Sequence, residues 1–200
     1  MRRRKPRRAG RRAALGMVLL ALIGLGAVAG LWWQGRLTGR FPPSLGLPGM
    51  GAPRQEVTLY FAHPRWTRLV AEPREIPAGL NTVERIQRLV QELLRGPSGD
   101  GAAPVLPRSV RLRGVYLGRD GLVFLDFDGE SLKGFDPGGA SGELLAVFAL
   151  VHTVVENTPG FRRVQILVDG EERETLAGHV AVGTPLEPQP ELVGDGREER

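Results

Sequence analysis

Residues 141–170 read SGELLAVFALVHTVVENTPGFRRVQILVDG, and this stretch decides the fold. Its first half, Leu144–Val155, is apolar nearly all round, which predicts a helix that is buried on more than one side and capped by Ser141. We expect this helix to lie either between a sheet and the first helix or between a sheet and another molecule. After a Pro-Gly break, Arg163–Val168 is predicted to be a strand that ends in a turn at Asp169 and Gly170.

A helix of the opposite kind, amphipathic, is predicted about 60 residues earlier. Asn81 and Glu84 have the spacing of a capping box at its start, and Gly96 and Pro97 end it. Its apolar stripe comprises Val83, Ile86, Leu89, Val90, Leu93 and Leu94. This periodicity predicts a helix that packs one face on a sheet.

Short runs of strand-forming residues surround the two helices. Val57–Phe61 and Arg68–Glu72 predict a first hairpin, Val110–Tyr116 and the LVFLDF run of 122–127 predict a second, and Glu172–Leu176 is a weaker return strand. The predicted order is β-β-α-β-β-α-β-β. We therefore predict an α+β fold, a two-layer sandwich in which two helices pack on a mainly antiparallel sheet.

The amino-terminal end predicts a membrane anchor. Residues 1–12 carry eight basic residues and no acid, and without them 19 basic residues face 22 acidic ones, which excludes an overall field that would hold nucleic acid. Residues 13–35 contain no charge and end near Trp32 and Trp33, which predicts a transmembrane helix with the amino terminus in the cytoplasm. The alternative is a signal peptide cleaved after Ala29.

The rest of the chain divides by composition. Residues 36–54 are dense in Gly and Pro and predict a linker, residues 55–186 form the predicted domain, and residues 187–200 predict a disordered tail. The chain has no cysteine, which excludes disulfides, thiolate metal sites, a cysteine nucleophile and a lipid-anchored cysteine.

Few residues suggest chemistry. Asp126 and Asp128 have the spacing that projects two carboxylates from one strand face, and His152 and Glu156 are one helical turn apart. For both pairs, structural roles are favoured: solvated turn carboxylates, and a histidine with a glutamate hydrogen-bond partner. His179 is expected to form a local structural hydrogen bond.

Other polar residues give weaker signals. His63 is expected to be exposed in a turn, and no serine lies in a nucleophile elbow. The four arginines Arg111, Arg113, Arg162 and Arg163 either form a basic edge for an acidic polymer or partner, or lie scattered on solvated strands. We predict no catalytic residue, no cofactor and no metal.

The domain resembles the GerMN family of sporulation and germination domains. The likeness rests on VTLYF, on LVQELLRGPSG with the APVLPRSVRLRGVYLGRDGLVFLDFDGE that follows, on SGELLAVFALVHTVVENTPGFRRVQILVDGEERETLAGHV, and on their order. The resemblance implies a bacterial envelope or spore-associated protein without enzymatic activity, and a fold similar to modules of sporulation channel rings. This chain has one copy where the founding germination protein has two.

These observations predict a non-catalytic, membrane-tethered extracytoplasmic module that acts in envelope or spore assembly or germination. Its expected partners are envelope or sporulation proteins, or a second copy, bound through sheet edges or the apolar helix Leu144–Val155. The alternative is a module that binds peptidoglycan.

Overall fold

The computed structural model describes residues 53–194, which lie in one compact unit, Ala52–Arg200. The predicted arm, the predicted span and nearly all of the predicted linker fall outside the described residues. Within 53–194, the helices are too short or too polar to cross a bilayer.

The α+β class is confirmed, and the elements follow in the predicted order with two short additions. The elements are β1 (Arg54–Ala62), β2 (Leu69–Pro77), α1 (Thr82–Arg95), β3 (Leu112–Leu117), β4 (Leu122–Phe127), α2 (Gly129–Leu132), α3 (Ala140–Asn157), β5 (Arg163–Val168), β6 (Glu171–Glu172) and a 3-10 turn (Pro190–Leu192). The additions are α2 and the 3-10 turn.

The strands form two sheets where the sequence predicted one. β1 and β2 pair antiparallel, and a four-stranded sheet has the order β3-β4-β5-β6. Within it, β4 and β5 run parallel because α3 crosses over between them, and the other pairs are antiparallel. Both helices help to close the core: α1 contacts β1, β3 and α3, and α3 contacts β1 and β5.

The helix α3 is buried as predicted, between the strands and α1. Twelve of its residues are buried, including Val147, Ala149 and Val151, which are fully enclosed. Its cap is not Ser141: the helix begins at Ala140, and Gly139 precedes it with a φ of 92° and no side-chain cap. Glycine adopts this backbone conformation without the strain that serine would have.

Two strand boundaries differ from the prediction for identifiable reasons. β2 continues past Pro73 to Pro77, because an edge strand needs no partner for its outer amides. β6 ends at Glu172, and the chain beyond leaves the sheet because the Glu143 carboxylate accepts hydrogen bonds from the amides of Leu176 and Ala177.

The prediction that the tail is disordered is wrong for residues 187–194, because these residues contact the domain. The amide of Gly194 donates to the carbonyl of Leu69, and Leu192 and Val193 pack against the core. Gln189 contacts the buried His152 ring. The composition does not indicate that this segment is ordered, because its contacts are made by backbone groups and by two apolar residues within a Pro-rich stretch.

Candidate functional site

The carboxylates of Asp126 and Asp128 lie at the end of β4 and hold the turns around it. Asp126 is buried and accepts a hydrogen bond from the Gly170 amide at 2.8 Å. Asp128 forms an ion pair with Arg111, and that hydrogen bond is the main reason why the pKa of Asp128 lies below its usual value. Both contacts are structural, but the prediction of solvated carboxylates is wrong for Asp126, which is buried because its carboxylate holds the Gly170 turn.

A groove of about 500 Å³ opens beside this turn. It is lined by charges of both signs, among them Asp169, Lys133 and Arg173. The Asp169 carboxylate is already engaged, since it accepts from Arg113 and from the Gly129 amide, both at 3.1 Å. Within residues 53–194, no cluster of three or more histidine, aspartate and glutamate side chains has the arrangement of a metal site.

His152 and Glu156 do form the predicted hydrogen bond, in a network that joins three parts of the fold. The Nδ1 of the buried His152 lies 3.0 Å from a Glu156 carboxylate oxygen, and its Nε2 lies 3.0 Å from the carbonyl of Gln189. The Tyr60 hydroxyl donates to the other Glu156 oxygen, and the Tyr60 and His152 rings pack with centroids 5.1 Å apart. Burial, together with the Glu156 carboxylate, raises the pKa of Tyr60. The network joins β1, α3 and the tail.

His179 forms a structural hydrogen bond, but the predicted local partner is wrong: its ring contacts Glu143, which lies 36 residues earlier in the chain. The Glu143 carboxylate is fully buried and accepts from the amides of Leu176, Ala177 and His179 at 2.7–2.9 Å, and it lies 3.2 Å from His179 Nδ1. Burial acts to raise the pKa of Glu143, but the backbone hydrogen bonds outweigh it, and the pKa is lowered. The role of Glu143 was not predicted, although an acid at the start of an apolar helix is a signal in the sequence.

The other polar predictions have mixed outcomes. His63 is half-buried where exposure was expected, and its Nδ1 accepts from the Arg65 amide. Ser131 donates its hydroxyl to the Asp128 carbonyl, a structural contact.

The four arginines do not gather into one basic edge. Arg111 and Arg113 lie at β3 and pair with carboxylates at the end of β4. Arg162 and Arg163 lie at the start of β5, and their amides donate to the carbonyl of Gly121 at the opposite end of the sheet. The scattered arrangement is the one that the structure supports.

The apolar helix is unavailable as a docking surface because it is buried, so sheet edges are the remaining candidates. The second edge of β1 is covered by α3: the Asn157 side chain donates to the carbonyl and accepts from the amide of Thr58, and Thr153 accepts from the Tyr60 amide. This role of Asn157 was not predicted, since an asparagine at the end of a helix usually indicates only a cap.

Two further edges of the described residues are protected in other ways. The outer edge of β2 contains Pro73 and is bonded at Leu69 by Gly194. β6 has two residues, both glutamates. Proline, very short strands and charge are all features that prevent strand addition.

The outer edge of β3 contains no proline and is six residues long, so its protection is limited to Arg113 and to the irregular register between Leu112 and Gly114 at its start. Within residues 53–194, backbone hydrogen bonds of Arg113–Leu117 run only to β4. Tyr116 and Leu117 on this strand are 56% and 43% exposed, and they are the exposed large hydrophobic residues of the described chain. This edge is the candidate interface, and we call Leu112–Leu117 with its free side the β3 edge.

The face beside the β3 edge is aromatic. A Cβ atom at Gly114 would lie 2.8 Å from the Tyr116 hydroxyl, and one at Gly118 would lie 2.9 Å from the Phe124 ring. The two rings therefore lie over glycines, outside the main core, and present apolar surface next to free backbone groups.

Comparisons with known proteins bear on the family and the fold. A sequence profile described as Germane, "Sporulation and spore germination", matches residues 58–174. No curated protein matches the chain. The solved tandem GerMN domains of the sporulation protein GerM from Bacillus subtilis are similar in fold, with a TM-score of 0.53 and 21% identity, over 74% of this chain and 49% of that one.

Two further solved structures match with lower scores. A protein described as a lipoprotein from Clostridium perfringens matches with a TM-score of 0.47 and 22% identity, over 74% of this chain and 93% of that one. The first GerMN domain of the same Bacillus subtilis protein matches with a TM-score of 0.49 and 17% identity, over 68% and 98%.

Proposed function

Because this chain belongs to the Germane (GerMN) family of sporulation and spore germination domains, we propose that it is a non-catalytic module of the cell envelope or spore. It acts in assembly or germination through contacts with other proteins. The family's description names a process and no reaction.

The observation that carries the proposal is the contrast between bound polar groups and a free sheet edge. Asp126, Asp128, Glu143 and His152 each hold a turn, a loop or the tail through hydrogen bonds within the domain. The β3 edge, in contrast, offers backbone groups and apolar side chains to a partner.

The proposal includes a membrane tether, which rests on the sequence alone. The uncharged residues 13–35 serve as the span, the basic residues 1–12 stay in the cytoplasm, and the domain lies outside. Because the chain has no cysteine, single introduced cysteines report on topology without background labelling.

We test the tether with Ser109→Cys and Ala9→Cys in the full chain. Intact cells are treated with a maleimide that does not cross membranes. We expect labelling of Ser109→Cys only, and labelling of Ala9→Cys only after lysis. Release of Ser109→Cys into the soluble cytosolic fraction would reject the tether.

The contact function is tested by photo-crosslinking in the host. A crosslinking amino acid replaces the exposed Tyr116, and a matched variant carries it at the exposed Glu171 on the other edge of the same sheet. We expect a discrete adduct with an identified envelope or sporulation protein from at least one position. Only diffuse background at both positions, or turnover of a substrate by the purified chain, would contradict the proposal.

Binding to peptidoglycan stays a prediction. Its simplest basis was a shared basic edge, and the arginines that would form it lie at opposite ends of the sheet. Co-sedimentation of the full chain in detergent with purified sacculi is the measurement that separates this function from protein contact.

A further inference from the structure

We infer that the β3 edge binds an extended, acidic segment of a partner protein, which adds to the four-stranded sheet as an antiparallel or parallel neighbour of β3. The inference rests on the proposed contact function and names the partner's chemistry. It follows from three features of the edge: its backbone, its side chains and its charge.

The backbone of β3 is suited to strand addition. The register of β3 with β4 is regular from Gly114 to Leu117, and the irregularity lies between Leu112 and Gly114, at the strand's start. An added strand would make main-chain hydrogen bonds that supply affinity, and side-chain pockets would supply specificity.

The side chains at the edge favour an occupant with apolar residues at alternate positions. Tyr116 and Phe124 lie on one face of the sheet, as the Tyr116–Phe124 pairing of β3 with β4 requires. An added strand would place every second side chain on this face of the sheet, with one of them next to Tyr116. Cross-strand pairs of aromatic and β-branched residues stabilise a sheet.

The charge at the edge favours an acidic occupant. Residues 108–120 contain four arginines and one aspartate, whereas residues 53–194 as a whole contain 15 basic and 19 acidic residues. Arg111 and Arg113 are partly neutralised by Asp128 and Asp169, but Arg108 and Arg119 are exposed and form no ion pair within the described residues. The segment 108–120, which contains β3, therefore has a net positive charge on an acidic domain.

The same charge argues against a second copy as the occupant. Pairing two β3 edges would bring two segments of net positive charge together, and like charges opposite each other in a sheet are destabilising. Complementary charge instead steers an acidic segment toward the edge and excludes basic ones.

The test uses the full chain in detergent micelles and a synthetic peptide in which glutamate alternates with valine. Fluorescence anisotropy measures binding, and hydrogen–deuterium exchange reports which amides become protected. We expect the glutamate peptide to bind and to slow exchange in residues 112–117. The same peptide with lysine in place of glutamate is expected to bind at least about tenfold more weakly.

Two variants assign the binding to the edge. Arg119→Glu and Tyr116→Glu change exposed side chains, so both variants are expected to keep the fold. Each is expected to bind the glutamate peptide about tenfold more weakly than the unaltered chain does. Arg173→Glu, at an exposed arginine beyond β6, is the matched control and is expected to bind as the unaltered chain does.

Three results would overturn the inference: no binding of the glutamate peptide, equal binding of the lysine peptide, or protection of amides outside β3. Self-association of the chain through residues 112–117 would overturn it as well. If crosslinking still identifies an envelope partner while the peptide fails to bind, the proposed function stands and the acidic strand does not.

Discussion

Glu143 is a charged side chain in the most apolar helix of the described chain, and its surroundings explain why it is tolerated there. Three backbone amides and the His179 ring surround a carboxylate that has no exposed surface. A buried carboxylate with several amide donors is stabilised in its charged form. Glu143 therefore fixes the segment after β6, which the sequence predicted to be a strand.

We expect Glu143→Gln to lower the free energy of unfolding by about 3 kcal/mol. The side-chain NH2 group of glutamine would face backbone N–H groups, so that some of these buried donors would lose their acceptor. Urea denaturation followed by circular dichroism measures the change. Glu130→Gln is the control, since Glu130 forms an exposed ion pair with Lys133 and should change stability by less than about 0.5 kcal/mol. Equal effects in the two variants would contradict the role of Glu143.

Glu143 also predicts how stability depends on pH. Its pKa is lower in the folded chain than the ordinary value of 4.5, so the unfolded chain binds its proton at higher pH. The stabilisation is complete above about 4.5 and is lost as the pH falls through the folded pKa. At pH values below about 4.5, we expect the urea concentration at the unfolding midpoint to fall as the pH is lowered. The fall should be smaller in Glu143→Gln. Parallel pH curves for the two proteins would show that another group is responsible.

At the scale of elements, α1 shows how much local sequence can specify. The capping box is present as predicted: the Glu84 amide donates to Asn81 Oδ1, and the Asn81 amide donates to the Glu84 carboxylate, both at 3.0 Å. The predicted turns at Asp120–Gly121 and Asp169–Gly170 are present, and the four residues have positive φ. Each of these signals involves residues that are close in the chain.

The start of α3 provides an element-scale prediction. Gly142 is buried in its first turn, and a Cβ atom there would overlap the carbonyl oxygen of Pro137. Helix propensity alone would make Gly142→Ala favourable by about 1 kcal/mol, but overlap with fixed backbone costs about 3 kcal/mol. We expect a net loss of about 2 kcal/mol in the free energy of unfolding, measured by urea denaturation.

Gly99→Ala is the matched control for Gly142→Ala. No atom lies within 4 Å of the added Cβ at Gly99. We expect a change of less than about 0.5 kcal/mol. A stabilised Gly142→Ala variant would mean that the loop before α3 moves aside without cost.

At the scale of the whole molecule, the carboxyl-terminal segment, residues 187–194, connects β2 with α3. It contacts β2 through Gly194 and α3 through Gln189 and His152. The partners Leu69 and His152 are distant from this segment in the sequence. The segment therefore belongs to the folded domain and extends it beyond the predicted boundary at residue 186.

Truncation tests this role of the segment. We expect a chain that ends at Glu187 to lose about 2 kcal/mol of unfolding free energy, because it lacks the contacts of Leu192, Val193 and Gln189. A chain that ends at Gly194 keeps these contacts and is the control. Thermal unfolding measures both, and the same melting temperature for the two truncated chains would show that the segment contributes no stability.

Local patterns in the sequence are enough to predict the α+β class, the order of the main elements, the capping box and the burial of the helix after residue 140. These features depend on periodicity and on short-range turn chemistry, which neighbouring residues specify. Tertiary structure alone decided that the strands form two sheets, that Glu143 and Asn157 bind distant backbone groups, and that β3 keeps a free edge. Those outcomes depend on which segments meet in space, and strand pairing between distant segments is set by the packing of the whole core.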